Sequence, residues 1–264
     1  MTAPTALLAA KSALVIAHPG QELSVYGWLE LVRPQVHVLT SGAGLASAPR
    51  IEATARLLQR LGAKPGAVFG RTSETDLYAR ILQADVAYFR GLASQLAEAL
   101  VAQKAEFVVG QAAEGIHVAT DLLHAVITVA AAEASARLGR PVAHYEYTAL
   151  ASAEACPAEL RHRSLRLSLY DEAFERKLEA AALYTELADE VRAAILGAGL
   201  DSFRVECFWP AAAARIGQSA SRERRWEERG AALVAAGRYS QAIRFAEHVA
   251  PLMAQLQPAA AHAA

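Results

Sequence analysis

The sequence predicts an α/β fold: a mostly parallel sheet with flanking helices, Rossmann-like, carrying a C-terminal extension of helices and strands. Three observations predict it. Short continuously apolar runs, such as SALVIA at 12–17, have the character of strands buried on both faces. Between these runs lie segments with apolar residues at helical spacing, and strands separated by helices imply parallel pairing through crossovers. Finally, 54% hydrophobic against 20% charged residues in 264 is enough apolar material for one large core.

The elements follow in order. The strand at 12–17 ends sharply at His18-Pro19-Gly20. Residues 23–31 form a helix stopped by Arg33-Pro34. A second strand at 36–40 runs into the turn Ser41-Gly42-Ala43-Gly44. RIEATARLLQRL at 50–61 is an amphipathic helix closed by Gly62. A third strand at 67–70 precedes a helical stretch, 76–102, in two pieces around Asp85. A fourth strand at 105–110, a long Ala-rich helix at 117–138 and a fifth strand at 141–147 complete the core. After Leu150 the character changes. A strand at 165–170, one helix from 174 to 196, a strand at 203–208 and a helical end at 231–256 make an extension, with a frayed terminus at 258–264. The whole reads as one domain, 1–264, with core units at 1–150 and the extension at 151–264 packed on them.

Composition narrows the function. A net charge of −1 argues against a nucleic-acid module, and the run RERRWEER at 222–229 mixes signs as a solvated helix face does. Two cysteines, Cys156 and Cys207, exclude a disulfide scaffold and a four-cysteine zinc site, and read as structural thiols. The N-terminus lacks a basic leader and no uncharged apolar run has membrane length, so a cytoplasmic protein with no membrane role is expected.

In a parallel sheet the ligand crevice lies beyond the carboxyl ends of the strands. The residues there are His18, Gln21, Glu22, Thr40, Arg50, Asp76, His117, Thr120 and Asp121. His18 can bind a metal or shuttle protons, or it can simply finish a turn. His117, Asp121 and His124 share a helix face at i, i+4, i+7, but His117 and His124 stand ~10.5 Å apart along the axis, too far to share one zinc. His124 reads as a core histidine. Thr40 to Gly44 reads as a turn, and Tyr145 and Tyr147 as packing aromatics on one strand face.

Several of these pieces, taken in order, resemble the PIG-L / LmbE-like de-N-acetylases. Ala-His-Pro-Gly-Gln-Glu at 17–22 is similar to that family's first motif, Ala-His-Pro-Asp-Asp-Glu. VHVLTSG resembles its second strand and Thr-Asp-Gly turn, the Arg50-led helix its Arg-led helix, and FGRTSETDL its next strand and loop. The resemblance runs over about 12–121. It implies zinc-dependent hydrolysis of N-acyl groups on sugar-like small molecules, with Arg50 contacting substrate. Carried over residue by residue, His18 matches a zinc ligand, Gly20 stands where the family has its general base, and Gln21 where it has a second ligand. His117 survives from the family's later His-Pro-Asp-His motif, and Thr120 replaces its metal-binding His.

Glycine cannot take a proton and Gln is a neutral oxygen donor, so zinc binding requires a rebuilt site. Three readings stay open: a rebuilt metal site drawing on Glu22, Asp121 or His117; a metal-free amide hydrolase; or a family member that only binds a ligand or partner. As a hydrolase, its acid–base set is His18 and His117 with Glu22 orienting an imidazole. Gln21, Thr40, Arg50, Asp76, Thr120 and Asp121 then contact the substrate.

Overall fold

The computed structural model describes residues 3–43, 49–148, 156–211 and 224–256. The expected turn residue Gly44, the opening Arg222 and Glu223 of the charged run, and the expected frayed end at 258–264 lie outside them. After a short helix α1 (Ala3–Ala6), the chain runs β1 (Ser12–Ile16), a 3₁₀ turn (Gln21–Val25), α2 (Tyr26–Val32), β2 (Gln35–Thr40) and α3 (Ile51–Leu61). It continues through β3 (Lys64–Thr72), α4 (Glu74–Leu82), α5 (Val86–Ala102), β4 (Phe107–Gln111), α6 (Val118–Leu138) and β5 (Ala143–Tyr147). The extension adds β6 (Leu165–Ser168), α7 (Asp171–Ala182), α8 (Ala188–Ala198), β7 (Val205–Pro210) and helices Arg225–Ala235 and Ala250–Leu256.

These strands form one seven-stranded sheet in the order β3-β2-β1-β4-β5-β7-β6. The first five are parallel, and β7 and β6 return antiparallel on the β5 side. This is the expected α/β architecture. β1 is buried along its whole length, which is why it reads as an unbroken apolar run. Its side chains alternate between two cores: Ala13, Val15 and Ala17 face the layer of α4, α5 and α6. Leu14 and Ile16 face the layer of α2, α3 and α7. The Gly62 C-cap has φ 71°, as its position after α3 predicts.

Among the boundaries that differ from the sequence expectation, three have a clear tertiary reason. The stretch before Arg33 opens as a 3₁₀ turn because Glu22 is drawn inward by Tyr184 and the Gly20 N–H. The helix expected across 174–196 breaks between α7 and α8, where Tyr184 leaves helical geometry and is buried against Glu22 and Thr54. The helical end beyond 231 is interrupted after Ala235, with Gly237 at φ 69°, and resumes in a π-turn at Phe245–Val249. α6 is long and apolar enough, by length and composition, to cross a membrane, but most of it is buried inside the protein.

Strand order reverses beside β1. From β1 the chain steps outward to β2 and β3, then crosses back to β4 and β5 on the other side. The carboxyl ends of β1, β2 and β4 therefore open at a topological switch point, the place where such sheets hold ligands.

Candidate functional site

His18 stands two residues past β1 and is buried, with 8% exposure. Its Nδ1 lies 3.1 Å from Thr40 Oγ1, at the end of β2, and 3.0 Å from Glu74 Oε1, at the start of α4. The Thr40 hydroxyl donates to the Ala17 carbonyl at 3.0 Å. Its one proton is thereby used, so toward His18 it can only accept. Glu74 is also an acceptor. Burial alone would raise its carboxyl, but the hydrogen bond from His18, helped by the nearby His18, Arg50 and His117 side chains, outweighs burial and holds it below the usual range. Two acceptors at Nδ1 put the proton there and leave Nε2 with a free lone pair.

His117 caps α6 in extended conformation, and its ring lies edge-on to His18 with centroids 5.9 Å apart. Burial first, then the nearness of His18 and of Arg229, push it down to about 4. At neutral pH it is an uncharged imidazole. Arg50 caps α3, with its N–H donating to the Ser41 carbonyl at 2.8 Å. Its Nη2 is 3.7 Å from Glu74 Oε1, and its buried Nε has no hydrogen-bond partner among the described residues. The side chain crosses Gly42, whose φ of 77° and missing Cβ allow the approach.

Gln21 acts as a clasp. Its Oε1 accepts from the Ala17 and His18 N–H groups at 2.9 and 3.0 Å, and its Nε2 donates to Thr120 Oγ1 at 3.1 Å. The exit of β1 is thus tied to the first turn of α6. Gly20 makes the sharp turn between them at φ 99°, and a Cβ there would stand 2.3 Å from Leu187 Cδ1. An aspartate at 20, as in the de-N-acetylase motif, does not fit this backbone.

The structure therefore brings His18, Thr40, Arg50, His117, Gln21 and Thr120 close together at the carboxyl ends of the strands. Three other sequence candidates are used elsewhere. Glu22 is fully buried; its oxygens are taken by the Gly20 N–H and by the Tyr184 hydroxyl, whose oxygen in turn accepts from the Thr54 hydroxyl at 3.2 Å. Desolvation raises its pKa despite those hydrogen bonds. Asp76 is exposed and exchanges hydrogen bonds with the N-cap Ser73 at 2.7 and 3.0 Å. Asp121 accepts from the Gly115 N–H at 3.1 Å and Trp226 Nε1 at 3.0 Å, so it staples the C-terminal helix to the loop before His117. Burial raises its pKa.

The residue that sequence reading passed over is Glu74. Its signal was present: Ser73-Glu74-Thr75-Asp76 is a capping box, which commits Asp76 to the helix end and leaves Glu74 free to face the strand ends. His124 is in the core, bonded through Nε2 to Glu146 at 2.7 Å, as expected.

The donor set does not fit zinc. Among the described residues no group of three His, Cys, Asp or Glu side chains converges on a metal position. Gln21 Oε1 is filled by two backbone donors, and His18 Nδ1 is bound to Thr40 and Glu74.

No protein-family model and no curated protein matches the chain. Among solved structures, the A40926 pseudoaglycone deacetylase superposes with a TM-score of 0.48 at 19% identity, covering 77% of this chain and 99% of that one. A deacetylase of teicoplanin biosynthesis, solved in complex with teicoplanin, superposes with a TM-score of 0.43 at 14% identity, covering 76% and 98%. Similarity at this level assigns neither a residue nor a reaction to this chain.

Proposed function

We propose that the crevice hydrolyses an amide, as a divergent N-deacetylase-type enzyme acting on an N-acylated, sugar-like small molecule, with His18 as general base and no zinc. The observation that carries this reading is the Glu74–His18 pair: a carboxylate bonded at Nδ1 fixes the imidazole tautomer and leaves Nε2 as the atom that can take a proton. A water held at Nε2 gives its proton to His18 as its oxygen adds to the acyl carbon. Glu74 stabilises the imidazolium that forms. That proton then passes to the departing amine as the C–N bond breaks, releasing the carboxylic acid and the free amine. Neutral His117, beside His18, supplies an N–H donor to the developing oxyanion. The unpartnered Arg50 Nε offers a donor to the substrate.

The test is amine release from a panel of N-acetylated amino sugars by purified protein. His18→Ala should lower turnover by at least ~10²-fold, and wild-type turnover should survive chelation. Activity abolished by a chelator and restored by zinc would overturn the metal-free mechanism. A second reading, ligand binding without turnover, is favoured by the Gln21–Thr120 clasp, which fills a position hydrolases of the resembling family give to metal ligands. It predicts no amine release, but sugar-dependent thermal shifts that vanish in Arg50→Ala.

A further inference from the structure

The chain has only two cysteines, and the fold sets them side by side. Cys156 precedes a 3₁₀ turn (Ala158–Arg163), and Cys207 lies within β7 opposite Arg166. Both are buried, in one small cluster with Ala112 and Trp209, against which Leu160 packs. The two side chains share that cluster, each thiol influences the titration of the pair, and Cys156 Sγ lies 3.7 Å from the Pro157 carbonyl. Neither belongs to the crevice, and packing alone does not need two sulfurs in contact.

We propose that Cys156 and Cys207 are a modification site: a thiol pair that closes reversibly to a disulfide when the protein meets a hydroperoxide. The Cys156 thiolate attacks one peroxide oxygen, the O–O bond breaks, and a sulfenic acid and a hydroxide leave that step. Cys207 then attacks the sulfenic sulfur, the S–S bond forms, and water departs. The two thiols are oxidised by two electrons in all, and the peroxide is reduced to water. Burial first, and Cys156 second, push the Cys207 thiol up to about 11, so Cys207 stays a thiol until the sulfenic acid has formed beside it. The closed loop would hold β6, α7 and α8, the part of the extension that delivers Tyr184 and Lys177 to the core.

The test is hydrogen peroxide treatment of the intact folded protein, followed by non-reducing peptide mapping by mass spectrometry. The expected result is a cross-linked pair of peptides containing Cys156 and Cys207, lighter by two hydrogens and separated by dithiothreitol. Thermal unfolding should rise by roughly 5 °C or more, since a loop of this length strongly restricts the unfolded chain. Cys207→Ser should lose both the cross-link and the shift. The proposal is overturned if both thiols still titrate after peroxide and denaturation, if they oxidise separately without a cross-link, or if the cross-linked protein unfolds at a lower temperature. The wild-type mapping decides the matter even if the variant does not fold, and none of these readouts depends on turnover.

Discussion

At the residue scale the crevice depends on which atom of His18 carries a proton. Thr40 uses its hydroxyl hydrogen on Ala17, so both neighbours of Nδ1 accept. Glu74 is the neighbour that responds to substitution. Glu74→Gln can present an amide donor to Nδ1, which moves the ring proton to Nε2 and removes the base. We expect kcat to fall by ~10²–10⁴-fold with KM little changed, measured by amine release alongside circular dichroism to confirm folding. A merely structural Glu74 would change stability and leave kcat alone. The carboxyl sits below its usual range, so in the folded protein its ionised form survives acidification that would protonate an ordinary glutamate.

At the element scale the C-terminal extension is tied to the core by charge as well as by packing. Glu206 on β7 accepts from the Gly27 and Trp28 N–H groups at 2.9 Å each, in the first turn of α2. A carboxylate there meets both the unpaired N–H groups and the positive end of the helix. Lys177 on α7 donates to the same carboxylate at 2.8 Å, and the pair is almost fully buried. Glu206→Ala should cost about 3–5 kcal/mol, because it strands a buried ammonium and two N–H donors. Lys177→Met should cost less, since Glu206 keeps its two backbone donors. The double variant should cost well under the sum of the two. Urea unfolding of the three variants checks this, and additive losses would show that the pair does not act as a unit.

For the whole molecule, three buried histidines are expected to lower stability in acid. Burial pushes His37 down to about 4; it is wholly enclosed in β2 and stacked under Gly66. His117 is at about 4, and burial lowers His144 well below its ordinary value. A histidine whose folded pKa is depressed binds a proton more readily when unfolded. Its contribution to stability is complete above the unfolded value, near 6.5, and is lost as pH falls toward the folded value. For His37 the full loss is about 3 kcal/mol. Glu22 and Asp121, raised by burial, act in the opposite sense and regain stability on acidification. The urea midpoint should fall between pH 6.5 and 4 by less in His37→Gln, which keeps an acceptor for the Val68 N–H, than in the wild type. An unchanged slope would assign the acid response to other groups.

The sequence by itself determined the layered α/β architecture and which residues stand at the carboxyl ends of its strands. Apolar runs such as SALVIA can be satisfied only by burial on both faces, and strand ends in a parallel sheet converge wherever the helices between them cross. It also placed His18 and His117 at those ends, because each directly follows or precedes an element with a clear pattern. Tertiary structure alone decided what the carboxylates do. Glu22, Glu74, Asp76 and Asp121 all sit near strand ends in the chain. One is buried against Tyr184, one orients His18, one caps a helix and one holds Trp226. A carboxylate takes whichever donors come within about 3 Å, and three of those four sets of partners come from elements distant in sequence. The break between α7 and α8 has the same origin. Local helical periodicity across 174–196 is strong, yet the hydrogen bonds joining the Tyr184 hydroxyl with Glu22 and Thr54 exist only once the extension has docked on the sheet.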